Sequence, residues 1–392
     1  MTKLFMFEKP IGMRDTLPIL YGAKMKVRHR MLQEIKSWGY QMIETPALEY
    51  YETVGEASAI LNQQLFKLLD QQGRSLVLRP DMTAPIARVA ASKLLKKRIP
   101  LRLSYSANVY RAQQREGGRP AEFEQIGIEC IGNSTVSGDA ESIALLVSTL
   151  KVAGLHQFKI SVGHVGFIQE LLVYALKSES EAEQCRKFLF EKNYVGYRNY
   201  VSSLKLPYDV EECLLSLLKM RGLEEVFQIA KTVVNNEAGK KAIGELEDLW
   251  VQLHEYDVQD YVSFDLSLIS HMSYYTGILF EVYAGSVGSP IGNGGRYDNL
   301  LNQFGYQAPA TGFGLVMDRL LEALGEIEEE NDVICIMFSK EQRKEAISLA
   351  KEMRESGEAV VLQDIDGVSD VQAYVKSFTT VNYLVNVQEE RK

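Results

Sequence analysis

Residues 110–132 read YRAQQREGGRPAEFEQIGIECIG, and the fold turns on how this stretch is read. The residues before it, RLSYSANVY, and its own second half, FEQIGIECIG, both carry the β-branched and aromatic bias of strands. Between them lies REGGRPAE, rich in Gly, Pro and charge, which predicts an antiparallel hairpin with a long loop. Arg111, Arg115 and Arg119 surround that loop, and Glu122, Gln125 and Glu129 ride the returning strand. Taken alone, such residues also describe a solvated hairpin tip.

Upstream, Met25, Met31, Leu32 and Ile35 space a helix over about 20–38 that Gly39 stops. GYQMIETPALEY is strand-like, with Pro46 suited to an edge because it donates no ladder bond. QLFKLLD and RSLVLRPDMT read as β, and APIARVAASKLLKK as a helix with Pro85 in its first turn. In LRPDMT, alternation would put Arg79, Asp81 and Thr83 on one face of an extended chain.

Downstream, DAESIALLVSTLKVAG is helical and HQFKISVGHV is a strand. Residues 166–255 then form a helical insertion, with Ser178 and Glu181 spaced as a capping box. The β pattern returns in VSFDLSLI, TGILFEVYAG and SPIGNGGRYDNL, and ATGFGLVMDRLLEAL runs from a Gly-rich strand into a helix. Past a charged linker at 326–331, residues 332–392 alternate strand and helix as a small βαβαβ unit with a parallel sheet. The organisation expected is a core over 1–325, the linker and a C-terminal domain.

At 392 residues, with 46% hydrophobic and 24% charged residues, the chain is an ordinary globular protein of two or three domains. No apolar run is long enough to span a membrane, and MTKLFMFEKPIGMRD is no signal peptide, so a cytoplasmic location is expected. Cys130, Cys185, Cys213 and Cys335 are scattered and the five histidines do not cluster with them, which argues against a metal site or a disulfide framework. A net charge of −9 gives no support for nucleic-acid binding. There is no G-x-G-x-x-G and no P-loop, and His271 beside Met272 reads as a packed or surface residue.

In order along the chain, PIGMRDTLP, GYQMIETPALEY, LRPDMT, the hairpin, SLISHMSYYTG with GGRYDNL, and GFGLVMDRL resemble the arm, the class motifs and the histidine signature of class II histidyl-tRNA synthetases. The resemblance implies an α+β fold: an antiparallel sheet flanked by helices, with the helical insertion. It further implies a self-dimer through the first class motif, and a histidine pocket formed by Asp81, Thr83, Gln125, Glu129, Tyr274 and Tyr275, with Arg111 aimed at the ligand carboxylate. Asp81 is one methylene shorter than the glutamate usual in the family.

The catalytic side of the resemblance is degenerate. Ser270 stands where the synthetase carries an arginine for phosphoryl chemistry, and Ser273 replaces an acidic residue. Gln113 replaces an adenine-contacting glutamate, and Val316 a glycine beside the nucleotide. A serine cannot supply the fixed cation that such a transition state needs. Arg111, Arg119 and Arg319 survive, with structural pairing to carboxylates the expected role. Residues 332–392 hold eight Lys/Arg against eleven Asp/Glu, a poor grip for tRNA.

A kept pocket with lost catalysis resembles the regulatory subunit of ATP phosphoribosyltransferase, which has no catalysis of its own. That resemblance implies a short-form catalytic subunit as partner in a hetero-octamer, histidine as effector in the first step of histidine biosynthesis, and no cofactor. The alternative is a divergent histidine–tRNA ligase.

Overall fold

Pro18 opens helix α1 (Pro18–Ser37), where its fixed φ and missing N–H are tolerated. The computed structural model describes residues 8–96, 99–112, 120–176, 178–234, 236–270, 274–285, 287–325 and 333–385. Gln113, Arg115, Arg119, His271, Ser273 and the linker at 326–331 lie outside the described residues. By its internal contacts the chain divides into two compact units, Met1–Gly325 and Glu326–Lys392.

On α1, Val27, Met31 and Ile35 recur every four residues and are the buried stripe. Strands β1 (Gln41–Met42) and β2 (Leu48–Tyr50) bracket Pro46. A small antiparallel sheet, ordered β2-β4-β3, is completed by β3 (Lys67–Leu69) and β4 (Ser75–Leu78), and α2 (Thr83–Val89) follows it. The long hairpin is β5 (Leu101–Tyr110) against β6 (Glu122–Ile131), antiparallel throughout. Helix α3 (Val136–Ala153) is buried nearly all round, and Gly154, at φ 98°, ends it by taking the left-handed conformation that L side chains resist.

After β7 (Phe158–His164) come α4 (Val165–Leu176), α5 (Glu179–Phe190), α6 (Tyr194–Ser203) and α7 (Tyr208–Ser216). Ser178 caps α5, its hydroxyl accepting from the Glu181 N–H. The helical stretch is interrupted by β8 (Arg221–Gly222) before α8 (Glu225–Val233) and α9 (Glu237–Glu255). The unit closes with β9 (Val262–Asp265), β10 (Ile278–Ala284), β11 (Gly292–Arg296), β12 (Ala310–Val316) and α10 (Met317–Leu324).

Nine strands form the main sheet in the order β1-β5-β6-β12-β11-β10-β7-β9-β8. It is antiparallel from β5 to β7, but the β1–β5 and β7–β9 pairs are parallel, so the sheet is mixed rather than wholly antiparallel. Alternation sorts its faces. Ile126, Ile128 and Cys130 of β6 pack with α1 and α3, while Phe123 and Ile131 join the opposite cluster with α2. Gln125, Gly127 and Glu129 share that second face.

A buried cation ties the sheet to α3. Arg296 sends Nε to Asp139 Oδ2 at 2.9 Å, Nη1 to the Asn133 carbonyl and Nη2 to the Thr135 carbonyl, both at 2.9 Å. Asp139 lies in the first turn of α3, where a carboxylate also meets the positive end of the helix.

In the second unit, β13 (Val333–Phe338), α11 (Arg343–Glu355), β14 (Ala359–Asp364), α12 (Val371–Val375) and β15 (Thr380–Leu384) form a parallel sheet ordered β14-β13-β15. Ala346 and Ala350, four apart on α11, pack on Ile336, Phe338 and Val360. Parallel neighbours need crossovers, which the helices supply.

Replacing Arg296 by Met leaves Asp139 buried without its partner, and a loss of about 3–5 kcal/mol is expected. Urea unfolding of R296M against wild type measures it; an unchanged midpoint contradicts the assignment.

Candidate functional site

Strand β4 ends at Leu78, and Pro80 breaks the extended chain before α2 begins at Thr83. The break defeats the alternation expected for LRPDMT. Arg79 turns aside and donates Nε to the Asn108 carbonyl (2.8 Å) and Nη1 to the Thr45 carbonyl (2.6 Å), while Asp81 and Thr83 face the main sheet.

Asp81 Oδ1 accepts from the Ala84 N–H at 3.0 Å, holding the first turn of α2, and Oδ2 accepts from the buried Ser58 hydroxyl at 2.6 Å. Thr83 donates from Oγ1 to Glu129 Oε1 at 2.8 Å, and the Tyr297 hydroxyl donates to Glu129 Oε2. The Glu129 carboxyl is thus gripped by α2 and by the residue after β11. Arg111, just past β5, sends Nε to the Pro80 carbonyl at 2.8 Å and lies over the Phe123 ring at 5.4 Å. Tyr274 packs edge-on against both Tyr275 and Tyr297, and Asn293 Nδ2 donates to the Tyr275 oxygen at 3.2 Å.

All of Asp81, Thr83, Arg111, Gln125, Glu129, Tyr274 and Tyr275 line one cavity. Tyr105, Asn293, Tyr297, Gly312, Phe313 and Gly314 complete its wall, and the sequence reading did not single these six out. The floor is bare where Gly127 of β6 faces Gly314 of β12 and where Gly312 faces Glu129. A Cβ at Gly312 would stand 2.2 Å from the Ile128 carbonyl oxygen and 2.5 Å from Glu129 Oε2. The glycines of GNGGRY serve close strand packing: a Cβ at Gly294 would meet the Gly312 carbonyl oxygen at 2.4 Å.

The free volume is about 20 Å³, room for about one water molecule. Burial dominates the electrostatics. It pushes the Glu129 carboxyl up to about 8, although the bonds from Tyr297 and Thr83 pull the other way and the Asp81 charge adds to the rise. Burial likewise raises the phenols of Tyr105, Tyr274, Tyr275 and Tyr297, keeping them protonated, and lowers Arg111 against the attraction of Asp81. Carboxyls, phenols, an amide and a guanidinium around so small a space suit recognition of a compact polar molecule.

The remaining described positions are Val316, Ser270 and Arg319. Val316 ends β12 opposite Gln125, buried in the apolar cluster beneath α2, with its N–H on the Ile291 carbonyl at 2.8 Å. Ser270 closes the described stretch after β9. Arg319 donates to the Pro290 carbonyl and Arg111 to that of Pro80. Among the described residues, no group of three or more His, Cys, Asp or Glu is placed to hold a metal.

The family model for histidyl-tRNA synthetase matches residues 12–320, and that for the histidyl-tRNA synthetase HisZ C-terminal domain matches residues 335–386. An ATP phosphoribosyltransferase regulatory subunit of Geobacillus sp. (strain WCH70) is 58% identical over 388 residues, 99% of each chain. The crystal structure of an ATP phosphoribosyltransferase regulatory subunit/histidyl-tRNA synthetase from Bacillus halodurans superposes with a TM-score of 0.92 at 53% identity, covering 98% of this chain and 100% of that one. Histidyl-tRNA synthetase from Nostoc sp. PCC 7120 shares the fold, with a TM-score of 0.80 at 19% identity over 95% of this chain and 89% of that one.

Because the folded Glu129 carboxyl titrates near 8 rather than at its ordinary 4.5, the folded state holds a proton that the unfolded chain releases. Its contribution is therefore full at acid pH and is lost as pH rises through about 8. Urea midpoints measured from pH 5 to 8.5 are expected to fall more steeply for wild type than for Glu129→Gln. Parallel profiles contradict the assignment.

Proposed function

The chain belongs to the ATP phosphoribosyltransferase regulatory subunit family, built on the histidyl-tRNA synthetase fold, and from that membership we propose that it is the non-catalytic partner of a short-form catalytic subunit, switching phosphoribosyl transfer in response to histidine. One observation carries the reading. Seven pocket residues converge on one cavity, while Ser270 and Val316 stand where the resemblance puts a synthetase's arginine and glycine. Binding groups kept beside lost phosphoryl-transfer groups make a sensor.

In this reading Asp81, Glu129 and Gln125 receive the ammonium and imidazole N–H groups, Arg111 the carboxylate, and Tyr274 and Tyr275 enclose the ring. A cavity of about 20 Å³ is far smaller than ligand pockets, which run to roughly 300–1,000 Å³. Histidine therefore enters only as the walls move apart. Binding tied to movement is what a regulator requires: the ligand favours whichever state of the assembly leaves the pocket open. Partnership in a hetero-octamer, a cytoplasmic place and the absence of nucleic-acid partners belong to the same proposal.

Self-association through the first class motif completes it. Leu17, Leu20, Tyr21 and Met25 on and just before α1 are exposed, as is Met42 on edge strand β1. A two-residue edge strand flanked by exposed apolar side chains is a surface that a second copy would cover. The double substitution Met42→Glu/Leu48→Glu, at exposed positions of that motif, is expected to halve the mass measured by light scattering; an unchanged mass contradicts this interface.

The function itself is tested by mixing the chain with a purified short-form catalytic subunit and following phosphoribosyl-ATP formation. Activity is expected only in the mixture and is expected to fall with histidine, with Tyr275→Ala weakening that inhibition about tenfold or more, as loss of a buried hydrogen-bonding anchor implies. A competent catalytic subunit that the chain does not activate would overturn the reading.

A further inference from the structure

The cavity wall contains one amide whose hydrogen bond decides what its neighbour can do. A tyrosine hydroxyl has a single hydrogen to give and lone pairs that accept. Asn293 Nδ2 donates to the Tyr275 oxygen at 3.2 Å, so the Tyr275 hydrogen is left for the cavity that this phenol lines. Three neighbouring hydroxyls are engaged elsewhere. Thr83 and Tyr297 donate to the two Glu129 oxygens, and Tyr105 points at the Phe313 carbonyl.

Strand register explains why Asn293 holds this place. On one side it faces Gly314 of β12, which offers no side chain and so opens the path to the cavity. On the other it faces Glu281 of β10. Glu281 is acceptor-only, takes bonds from the Tyr283 hydroxyl and from Lys192 Nζ (3.3 Å), and acts electrostatically on Tyr275 as well.

We infer that Asn293 is a positioning residue that fixes the polarity of the pocket: by occupying the Tyr275 oxygen as an acceptor, it makes Tyr275 a donor to the ligand and selects a ligand with an unprotonated acceptor atom there. A neutral imidazole nitrogen meets the requirement, and a ring without such an atom leaves a buried O–H unpaired. The inference rests on the histidine reading and adds a specificity determinant to it.

Asn293→Asp tests it, because an aspartate would accept the Tyr275 hydrogen and draw it out of the cavity. Calorimetry on the full chain would compare L-histidine with β-(2-thienyl)-L-alanine, whose five-membered ring has no nitrogen acceptor. Wild type is expected to prefer histidine. N293D is expected to lose roughly tenfold or more in histidine affinity, the range of one buried hydrogen bond, while thienylalanine changes less than about twofold. Equal losses for both ligands would mean a merely structural role and overturn the inference alone. If N293D does not fold, Asn293→Ala carries the same comparison: a loss confined to histidine supports the inference and equal losses overturn it. Wild type that binds no histidine overturns the histidine reading, and this inference with it.

Discussion

Strands β6 and β12 approach so closely at Gly312 and Gly127 that neither position has room for a methyl group. A Cβ at Gly127 would meet the Phe313 carbonyl oxygen at 2.1 Å. This bare lane at the centre of the sheet is the constraint on which the site depends. Because these glycines contribute no side chains, the volume is left to Gln125 and Glu129 of β6 and to residues arriving from the margins: Tyr105 from β5, Tyr275 and Tyr297 from beside the ends of β10 and β11, and Asp81 and Thr83 from the start of α2. Glu129, one pair along, then finds its two oxygens met by α2 and by the end of β11. Sterics open the space and hydrogen bonds give it chemical character.

Two kinds of site make different demands on such a scaffold. Phosphoryl transfer requires cations fixed near the reacting atoms, and their loss is not compensated by shape. Recognition of a small polar molecule requires only that donors and acceptors be complementary and dry. Here the cavity is lined by polar groups that secure one another, while Val316 fills with hydrocarbon a place where the resemblance puts a glycine. Three arginines serve architecture: Arg296 binds the start of α3, Arg79 joins the loop before β2 to β5, and Arg319 bonds the turn before β11.

Much of this was legible in the residues, and for identifiable reasons. The hairpin at 101–131, helix α1 and the C-terminal βαβαβ unit rest on local periodicity, which burial on one face enforces. The resemblance pointed to the pocket residues that lie within quoted motifs. Pro80 was visible, yet its effect on LRPDMT was not, since whether the chain turns there depends on α2 packing on the sheet. Tyr105 and Asn293 were unmarked because their importance is a matter of register: each faces a glycine on the neighbouring strand, 22 positions away for Tyr105 and 21 for Asn293. A lone Asn in a glycine run carries no local signal. The parallel pairings of β1 with β5 and β7 with β9 were equally silent, since strand direction is decided by connections and not by composition.

The contracted cavity also sets a tempo. On the proposed reading, capture of a molecule of amino-acid size would follow an opening of the walls of so contracted a cavity. Collective hinge and shear motions of packed elements run on microsecond-to-millisecond scales. Raising the concentration of an effector would then speed capture only up to the frequency of opening, and beyond that the delay belongs to the protein. A regulator built this way averages over brief surges in its signal and answers to sustained abundance.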